Sequence, residues 1–488
     1  MRKLLLASAA VLGATSWLSA NAQTQLPVSY TQGQVASTPS ASPPAGANNN
    51  NNTIAAPVPG AVANPTPGTV VIHVNGRVTT ELNGVWTGLD KYTNTSPVTG
   101  VGGQTLLAAG NSFKLQPTSI TNFARIYTGV DAMAANGLRY GGAIEIRENF
   151  GGQSSTNSNT GSSGYSSSET LFVRRAFGYI AADNIGILRF GQGDGLISLY
   201  DNGVTTFQFT PGGALGGGDL QTVFPGNLQI PLASGAVQGA EYTTTRLVYL
   251  SPQFYGFDFG LMWAPNTTNG YATGTGNTYN TVLGCSFADS GCSSLSSSTV
   301  AGDAAREINQ TAVGVRYQGS FSGLGVLAYG VYEFAGRVHY TGSAPIQTYD
   351  NLSFENAGLA LTYAGFTVGG NWIGGAVNNQ LAPKPSGAPN ENSFVLGVTY
   401  KTGPLTVGVV GEDNEYQGSP ATTGHTQRKD MALDVGAAYV IAPGIVGYAE
   451  YLYQYRKQNG FNFATGSAGS AYNTIQGQGL EIGTTIYW

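Results

Sequence analysis

From about residue 70 to the C-terminus, apolar and polar residues alternate with a period of two. In the segment IHVNGRVTTELNG, one face carries Ile72, Val74, Gly76, Val78, Thr80 and Leu82. The opposite face carries His73, Asn75, Arg77, Thr79, Glu81 and Asn83. Because successive side chains of a strand point to opposite faces, this pattern predicts a strand with lipid on one side and water on the other.

The same alternation recurs to the end of the chain and predicts about sixteen strands, an even number that suits an antiparallel transmembrane β-barrel. The predicted strands are 70–86, 121–133, 137–150, 171–183, 185–192, 241–251, 254–264, 307–318, 323–334, 353–363, 365–376, 390–401, 403–414, 428–441, 444–457 and 475–488. In the last strand, the residues predicted to face lipid are Leu480, Ile482, Thr484, Ile486 and Trp488. Trp488 is a predicted interfacial anchor, since tryptophan favours the boundary between membrane and water.

The connections between these strands alternate between long and short. The long ones are 87–120, 151–170, 193–240, 265–306, 335–352, 377–389, 415–427 and 458–474. The short ones span only a few residues, such as Asp183-Asn184, Ala364, Thr402 and Ala442-Pro443. Long extracellular loops and short periplasmic turns are typical of outer-membrane barrels, whereas a secreted β-sandwich or fibre, the alternative fold, has no reason to sort its loops this way.

The N-terminal region has two parts that precede the predicted barrel domain, 69–488. Residues 1–22 have the features of a signal peptide: Arg2 and Lys3 are basic, an apolar run follows, and Ala20-Asn21-Ala22 fits a cleavage site. Residues 23–68 contain no charged residue and are rich in Pro, Ala, Gln and Asn, which predicts a disordered periplasmic tail. We therefore expect export to the outer membrane of a Gram-negative bacterium.

Composition supports a membrane barrel over a soluble enzyme. Only 10% of residues are charged, against about 25% in typical soluble domains. The 71 glycines and 27 tyrosines fit Gly-rich loops and interfacial aromatics. No run of apolar residues is long enough for a membrane-spanning helix after the signal sequence.

Charge and cysteine content limit the partners and cofactors. Without Arg2 and Lys3 the chain has 19 basic and 26 acidic residues, a net charge of −7, and no basic cluster indicates a nucleic-acid partner. Cys285 and Cys292 lie in one Ser-rich loop of an exported chain, which predicts a disulfide. Two thiolates without a nearby histidine do not make a zinc site, so we expect no metal and no cofactor.

Four segments resemble the general porins of Gram-negative outer membranes: VNGRVTTELNGVW, RRAFGYIAADNIGILRFGQGDGLISLYD, TTTRLVYLSPQFYGFDFGLMW and GLEIGTTIYW. Their order and spacing extend the resemblance over residues 70–488. It implies a homotrimer of 16-stranded barrels in outer-membrane lipid and lipopolysaccharide, with the third extracellular loop folded into each pore. The chain departs from the best-known enteric porins in its long tail and in lacking the Pro-Glu-Phe motif in that loop.

A diffusion channel needs a constriction whose width and field sort solutes. The early strands supply a predicted basic wall, because arginine facing lipid is costly: Arg77, Arg125, Arg139, Arg147, Arg174 and Arg189. The third loop supplies a predicted acidic side: Asp194, Asp201 and Asp219. We place Arg174 in phase with Ala176 and Gly178 as pore-facing, and Arg175, in phase with Phe177 and Tyr179, at a rim or subunit interface.

Two interpretations of these charges stay open. Arginines on one wall facing aspartates on the loop would create a transverse field across the pore, as the resemblance implies. Alternatively, the charges solvate a wet lumen or pair locally. The leading function is passive diffusion of small hydrophilic solutes and ions.

The alternatives are a channel specific for sugars or small carboxylates, a barrel enzyme, and a structural surface barrel that conducts no ions. Aromatic side chains of the third loop could stack against sugars in the specific channel: Tyr200, Phe207, Phe209 and Phe224. An enzyme would require a Ser/His or Asp/His cluster, and the three widely spaced histidines do not predict one.

Overall fold

Sixteen antiparallel strands form one closed barrel in the computed structural model. The structure describes residues 65–89, 91–93, 98–99, 105–107, 112–114, 116–149, 172–201, 220, 224, 228, 230, 245–266, 296–299, 304, 306–343, 347–378, 381–418 and 424–488. The first eight barrel strands are β1 (Thr69–Thr87), β2 (Thr118–Met133), β3 (Arg139–Asn149), β4 (Phe172–Ala182), β5 (Gly186–Gln192), β6 (Thr245–Leu250), β7 (Phe257–Asn266) and β8 (Glu307–Phe321). The others are β9 (Leu324–Arg337), β10 (Leu352–Tyr363), β11 (Phe366–Ala376), β12 (Glu391–Thr402), β13 (Leu405–Tyr416), β14 (Arg428–Ala442), β15 (Ile445–Gln458) and β16 (Thr474–Tyr487).

The sixteen predicted strands are confirmed, because each coincides with one barrel strand to within a few residues. Burial alternates along them as the sequence pattern requires. In β16, every second residue from Thr474 is exposed on the outer face, and Leu480, Ile482 and Ile486 are among these exposed apolar residues. The outer face is therefore apolar and the inner face largely polar, as expected for a barrel between lipid and water.

The sorting of connections into long and short is also confirmed. The turn between β8 and β9 consists of Ser322 and Gly323, and the turn between β10 and β11 consists of Ala364 and Gly365. All four residues have positive φ angles of 48 to 85°. Two successive residues with positive φ make a type I′ turn, whose twist matches that of the strands it joins.

The barrel closes by pairing the first strand with the last. Strand β1 lies between β2 and β16, and its register with β16 runs from Arg77 opposite Tyr487 to Thr87 opposite Gly477. Beyond β16, the backbone of Trp488 exchanges two hydrogen bonds of 3.1 Å with Gly76. Closure leaves no strand edge of the barrel unpaired, which a lipid environment requires.

Short elements lie outside the barrel. Among the described residues there are four small strand pairs: Lys91–Thr93 with Ser112–Lys114, Val98–Thr99 with Thr105–Leu107, Ser297–Ser298 with His339–Tyr340, and Phe461–Asn462 with Ser467–Ala468. A single helical turn, α1 (Leu196–Tyr200), follows β5. No helix in the described part of the chain is long and apolar enough to cross a membrane.

The described residues of the third loop contact the inner wall at two separate places. A side chain added at Gly260 of β7 would collide with Leu196 of α1, and one added at Gly314 of β8 would lie 3.2 Å from the same leucine. Farther along the loop, Phe224 contacts the inner face of β16. Since β8 and β16 lie eight strands apart in a sixteen-stranded barrel, these contacts are on opposite walls.

Candidate functional site

Three arginines form a row across the inner face of the first strands. Arg77 of β1 is opposite Arg125 of β2, and Arg125 is opposite Arg147 of β3. Arg77 is completely buried, and the other two are nearly so. The row concentrates positive potential at one level of the lumen. It does so at a cost in stability, because directly opposed like charges destabilise a sheet.

A carboxylate links the last arginine of this row to two arginines of the next strand. Glu145 of β3 accepts hydrogen bonds from Arg147 at 2.5 Å and Arg174 at 3.4 Å, and it forms a third with Arg175. All four side chains are buried on the inner face. The cluster of Glu145, Arg147, Arg174 and Arg175, which we call the Glu145 hub, carries a net positive charge.

The prediction for Arg175 was wrong, and a β-bulge explains the error. Glu145 pairs with Arg175 and Ile146 pairs with Val173, so Arg174 is an extra residue in β4. A bulge breaks the alternation locally, and both arginines therefore face the lumen. Beyond the bulge, Phe177 and Tyr179 face inward. The sequence analysis had placed Ala176 and Gly178 on the pore-facing side of this strand, so that prediction was wrong.

The remaining predicted arginines lie at different levels. Arg189 of β5 is buried, and its guanidinium lies 4.1 Å from the ring centre of Phe177. Arg139 lies at the short-turn end of the barrel, where it is 3.6 Å from the exposed Asp183. Arg246 of β6, which the sequence analysis did not select, is also buried on the inner face and donates a hydrogen bond of 3.0 Å to the sulfur of Met262.

Of the three loop aspartates, Asp194 is placed beside arginines and not across the lumen from them. Its Oδ1 accepts hydrogen bonds from Arg175 at 2.6 and 3.0 Å, and its Oδ2 lies 3.9 Å from Arg189. The expected opposition of Asp194 to the basic wall is therefore corrected to a local ion pair. Asp201 is buried just after α1, and Asp219 lies outside the described residues.

Carboxylates that the sequence analysis missed line the opposite half of the barrel. Within the described chain, β9–β16 bury seven on the inner face: Glu333, Glu391, Glu412, Asp430, Asp434, Glu450 and Glu481. Glu450 and Glu481 are direct partners across β15 and β16. The alternating pattern could have identified both glutamates as pore-facing, because each is next to an outward-facing apolar residue. Tyr451 follows Glu450, and Leu480 precedes Glu481.

The inner surface is therefore divided by charge. Strands β1–β6 bury seven described arginines and three carboxylates: Arg77, Arg125, Arg147, Arg174, Arg175, Arg189 and Arg246, with Glu81, Asp131 and Glu145. Strands β9–β16 bury the seven carboxylates and only two arginines, Arg428 and Arg456. We call these surfaces the arginine half and the carboxylate half. Their separation creates a field across the lumen from wall to wall.

The described aromatic residues of the third loop do not form a stacking ladder. Tyr200 is buried against β7 and β8, where the guanidinium of Arg316 lies 4.9 Å from its ring centre. Phe224 is buried against β16 on the other wall. Both aromatic rings thus anchor the loop. Phe207 and Phe209 lie outside the described residues.

Two further predictions concern the two cysteines and the absence of a metal site. Cys285 and Cys292, the predicted disulfide, lie outside the described residues. Among the residues that the structure does describe, no group of His, Cys, Asp and Glu is arranged to hold a metal ion. His339 and His425 are exposed.

A family model described as Gram-negative porin matches residues 9–459. Similar solved structures include a loop-deletion mutant of OmpT, an outer membrane protein of Vibrio cholerae (14% identity, 86% of this chain and 99% of that chain, TM-score 0.43). Another is Salmonella typhi OmpF in complex with daunomycin (13% identity, 86% and 97%, TM-score 0.49). A search of curated proteins gave no match.

Proposed function

We infer how this protein functions from its family, because the chain belongs to the Gram-negative porins. It is an outer-membrane porin through which small hydrophilic solutes and ions pass by diffusion. Family and fold indicate a channel and not an enzyme. We propose that it is a general diffusion channel, selective by size and charge and without a specific substrate.

The observation that carries this proposal is the division of the lumen into an arginine half and a carboxylate half. A field between the two walls orients water and dipolar solutes, and it penalises apolar solutes that cannot compensate for the loss of oriented water. Charges of both signs line the path, so the carboxylate half attracts cations and the arginine half attracts anions. This arrangement suits many small polar solutes and favours no single one.

The predicted basic-wall residues contribute to this field to different degrees. The row of Arg77, Arg125 and Arg147 and the Glu145 hub supply its positive side. Arg139, at the short-turn end, acts at the periplasmic mouth. The aspartates of the third loop make a smaller contribution than the sequence analysis expected, because Asp194 is already paired with Arg175.

Assembly and location complete the proposal. The chain is exported with a signal peptide cleaved after Ala22, residues 23–68 form a periplasmic spacer, and Cys285 and Cys292 form a disulfide in an extracellular loop. Three barrels associate as a homotrimer in outer-membrane lipid and lipopolysaccharide. Family membership supports the trimer, and the oxidising environment of an exported protein supports the disulfide.

Single-channel recording of the refolded protein in a planar bilayer, with a salt gradient across it, tests this function. We expect stable conductance steps that often occur in threes, and a linear dependence of solute flux on concentration. Saturable flux of one sugar or carboxylate would replace the general channel with a specific one. Folded barrels without conductance would contradict the diffusion function.

A further inference from the structure

The inner face of β16 carries a pair of glycines where the third loop returns to the wall. A Cβ atom added at Gly479 would lie 3.0 Å from Leu220 and 3.1 Å from Phe224. One added at Gly477 would lie 2.5 Å from Leu228 and 3.0 Å from Phe224. These distances leave no room for any side chain larger than hydrogen at the two positions, so the loop contacts the strand backbone itself.

Apolar residues of the barrel wall continue this surface. Val395 of β12, Val410 of β13 and Leu452 of β15 point inward and are completely buried. They form one apolar cluster with the described loop residues, Leu220, Phe224, Leu228 and Ile230. The inner face of a water-filled barrel is normally polar, so apolar wall residues at this level require a partner, and the loop supplies it.

We propose that this surface, the loop seat, fixes the far end of the third loop and thereby sets the width of the constriction. The loop seat consists of Gly477, Gly479, Val395, Val410 and Leu452. Its glycines are positioning residues for permeation: they act through the loop and do not touch the solute. The effect on width rests on the proposed channel function, whereas the effect on the loop itself does not.

The two attachments of the loop differ in the contacts that hold them. At the first, Leu196 fills the space above Gly260 and Gly314, and Arg316 also donates a hydrogen bond of 3.4 Å to the carbonyl of Leu199. At the loop seat, the described loop side chains are all apolar. Burial of apolar area supplies the attraction there, and a wall side chain that blocks this burial removes it.

The test compares two valine substitutions in the refolded full-length protein. Gly479→Val fills the loop seat. Gly330→Val is the matched control, because Gly330 lies on the outer face of β9 and a Cβ atom there meets nothing within 4 Å. Hydrogen–deuterium exchange of residues 220–230 reports attachment of the loop, and single-channel conductance reports the width of the constriction.

We expect faster exchange of residues 220–230 in Gly479→Val, with wild-type exchange in Gly330→Val. The conductance step of Gly479→Val should fall to roughly half, because the displaced Phe224 moves toward the pore axis and narrows the path. Unchanged exchange would overturn the loop seat. Faster exchange with an unchanged conductance step would overturn its control of the width, and a larger step would overturn the inward displacement of Phe224.

A second variant keeps the proposal testable if Gly479→Val does not fold. Phe224→Ala removes the ring and leaves the barrel wall intact. We expect faster exchange of residues 220–230 and additional brief closures in the current trace, and wild-type behaviour in both measurements would overturn the loop seat. If no folded barrel conducts, including the wild type, the exchange result still decides the loop seat, and the proposed function alone fails.

Discussion

The arginine half and the carboxylate half of the lumen hold their charges in different ways. In the arginine half, like charges are neighbours and share one carboxylate: Glu145 contacts Arg147, Arg174 and Arg175. In the carboxylate half, the two arginines lie near the long-loop end, where Arg456 pairs with Asp430 at 2.8 Å. Asp434, deeper in the barrel, has no hydrogen-bond partner among the described residues on either carboxylate oxygen.

This difference shows how a barrel can carry strong charge of both signs without neutralising it. Apart from these local ion pairs, neighbouring strands mostly carry like charges, and most of the charge of opposite sign lies across the lumen. Attraction between the halves then acts through water, where it is weak for each pair. The field remains available to a passing solute, which displaces that water.

The largest expected effect comes from removing the carboxylate that the arginine half requires. Glu145→Gln leaves three buried guanidinium groups without their shared partner, and we expect a loss of about 3 kcal/mol in the free energy of unfolding. The thermal transition of the folded barrel, followed by its electrophoretic mobility, measures this. Glu355→Gln, an equal charge change at an exposed outer position, is the control. Equal transitions in both variants would contradict the role of the Glu145 hub.

Neutralising the carboxylate half should change selectivity more than stability. A unit charge about 7 Å from an ion in water contributes about 0.6 kcal/mol, which is roughly threefold in local ion concentration. We therefore expect the double variant Glu333→Gln and Glu391→Gln to shift the permeability ratio toward anions by up to about tenfold. The reversal potential in a salt gradient measures the ratio. A shift toward cations would reverse the assignment of the two halves.

A single substitution in the arginine half should shift the ratio in the opposite direction. Arg125→Gln leaves Arg77 and Arg147 in the row, so we expect a shift of roughly threefold or less toward cations, smaller at high salt because screening shortens the reach of each charge. Lys457→Gln, at an exposed outer position, should leave the reversal potential unchanged. Equal shifts in both variants would indicate that overall charge, and not its location, determines selectivity.

The smallest expected effect concerns an ion pair between two long loops. Lys384 donates a hydrogen bond of 2.6 Å to Asp350 and thereby lowers the pKa of that carboxyl below its ordinary value of 3.8. A lowered pKa means that the contact is fully present above 3.8 and is lost as the pH falls through the folded value. The protection factor of residues 381–388 in hydrogen–deuterium exchange, which corrects for the pH dependence of intrinsic amide exchange, should therefore fall only in strong acid. In Asp350→Asn the protection factor should be lowered already at neutral pH, and acid should not change it further.

Sequence alone predicted the fold well because two independent periods agree. Alternation with a period of two locates each strand, and the alternation of long and short connections fixes the direction of successive strands. The strand order is then the order in the sequence, since each strand pairs with its neighbours in the chain and β1 pairs with β16. The outward residues Leu480, Ile482 and Ile486 and the positions of the short turns needed no further information.

The site was predicted less completely because its parts depend on pairing between strands. The bulge at Arg174 exists only as a mismatch between β3 and β4, and no single segment reveals it. The carboxylate half combines residues from Glu333 to Glu481, which come together only when the barrel closes. The arginines were easier to find, since those of β1–β5 lie within little more than one hundred residues of one another.

The pairing of Trp488 with Gly76 has a consequence for how the protein is made. Strand β1 has β2 on one side and the distant β16 on the other, so one edge of β1 stays open until β16 pairs with it. A chain that ends one strand early presents two open edges to lipid, each with a row of backbone groups that nothing satisfies. The stability of the first strand in lipid therefore depends on a strand about four hundred residues away in the sequence.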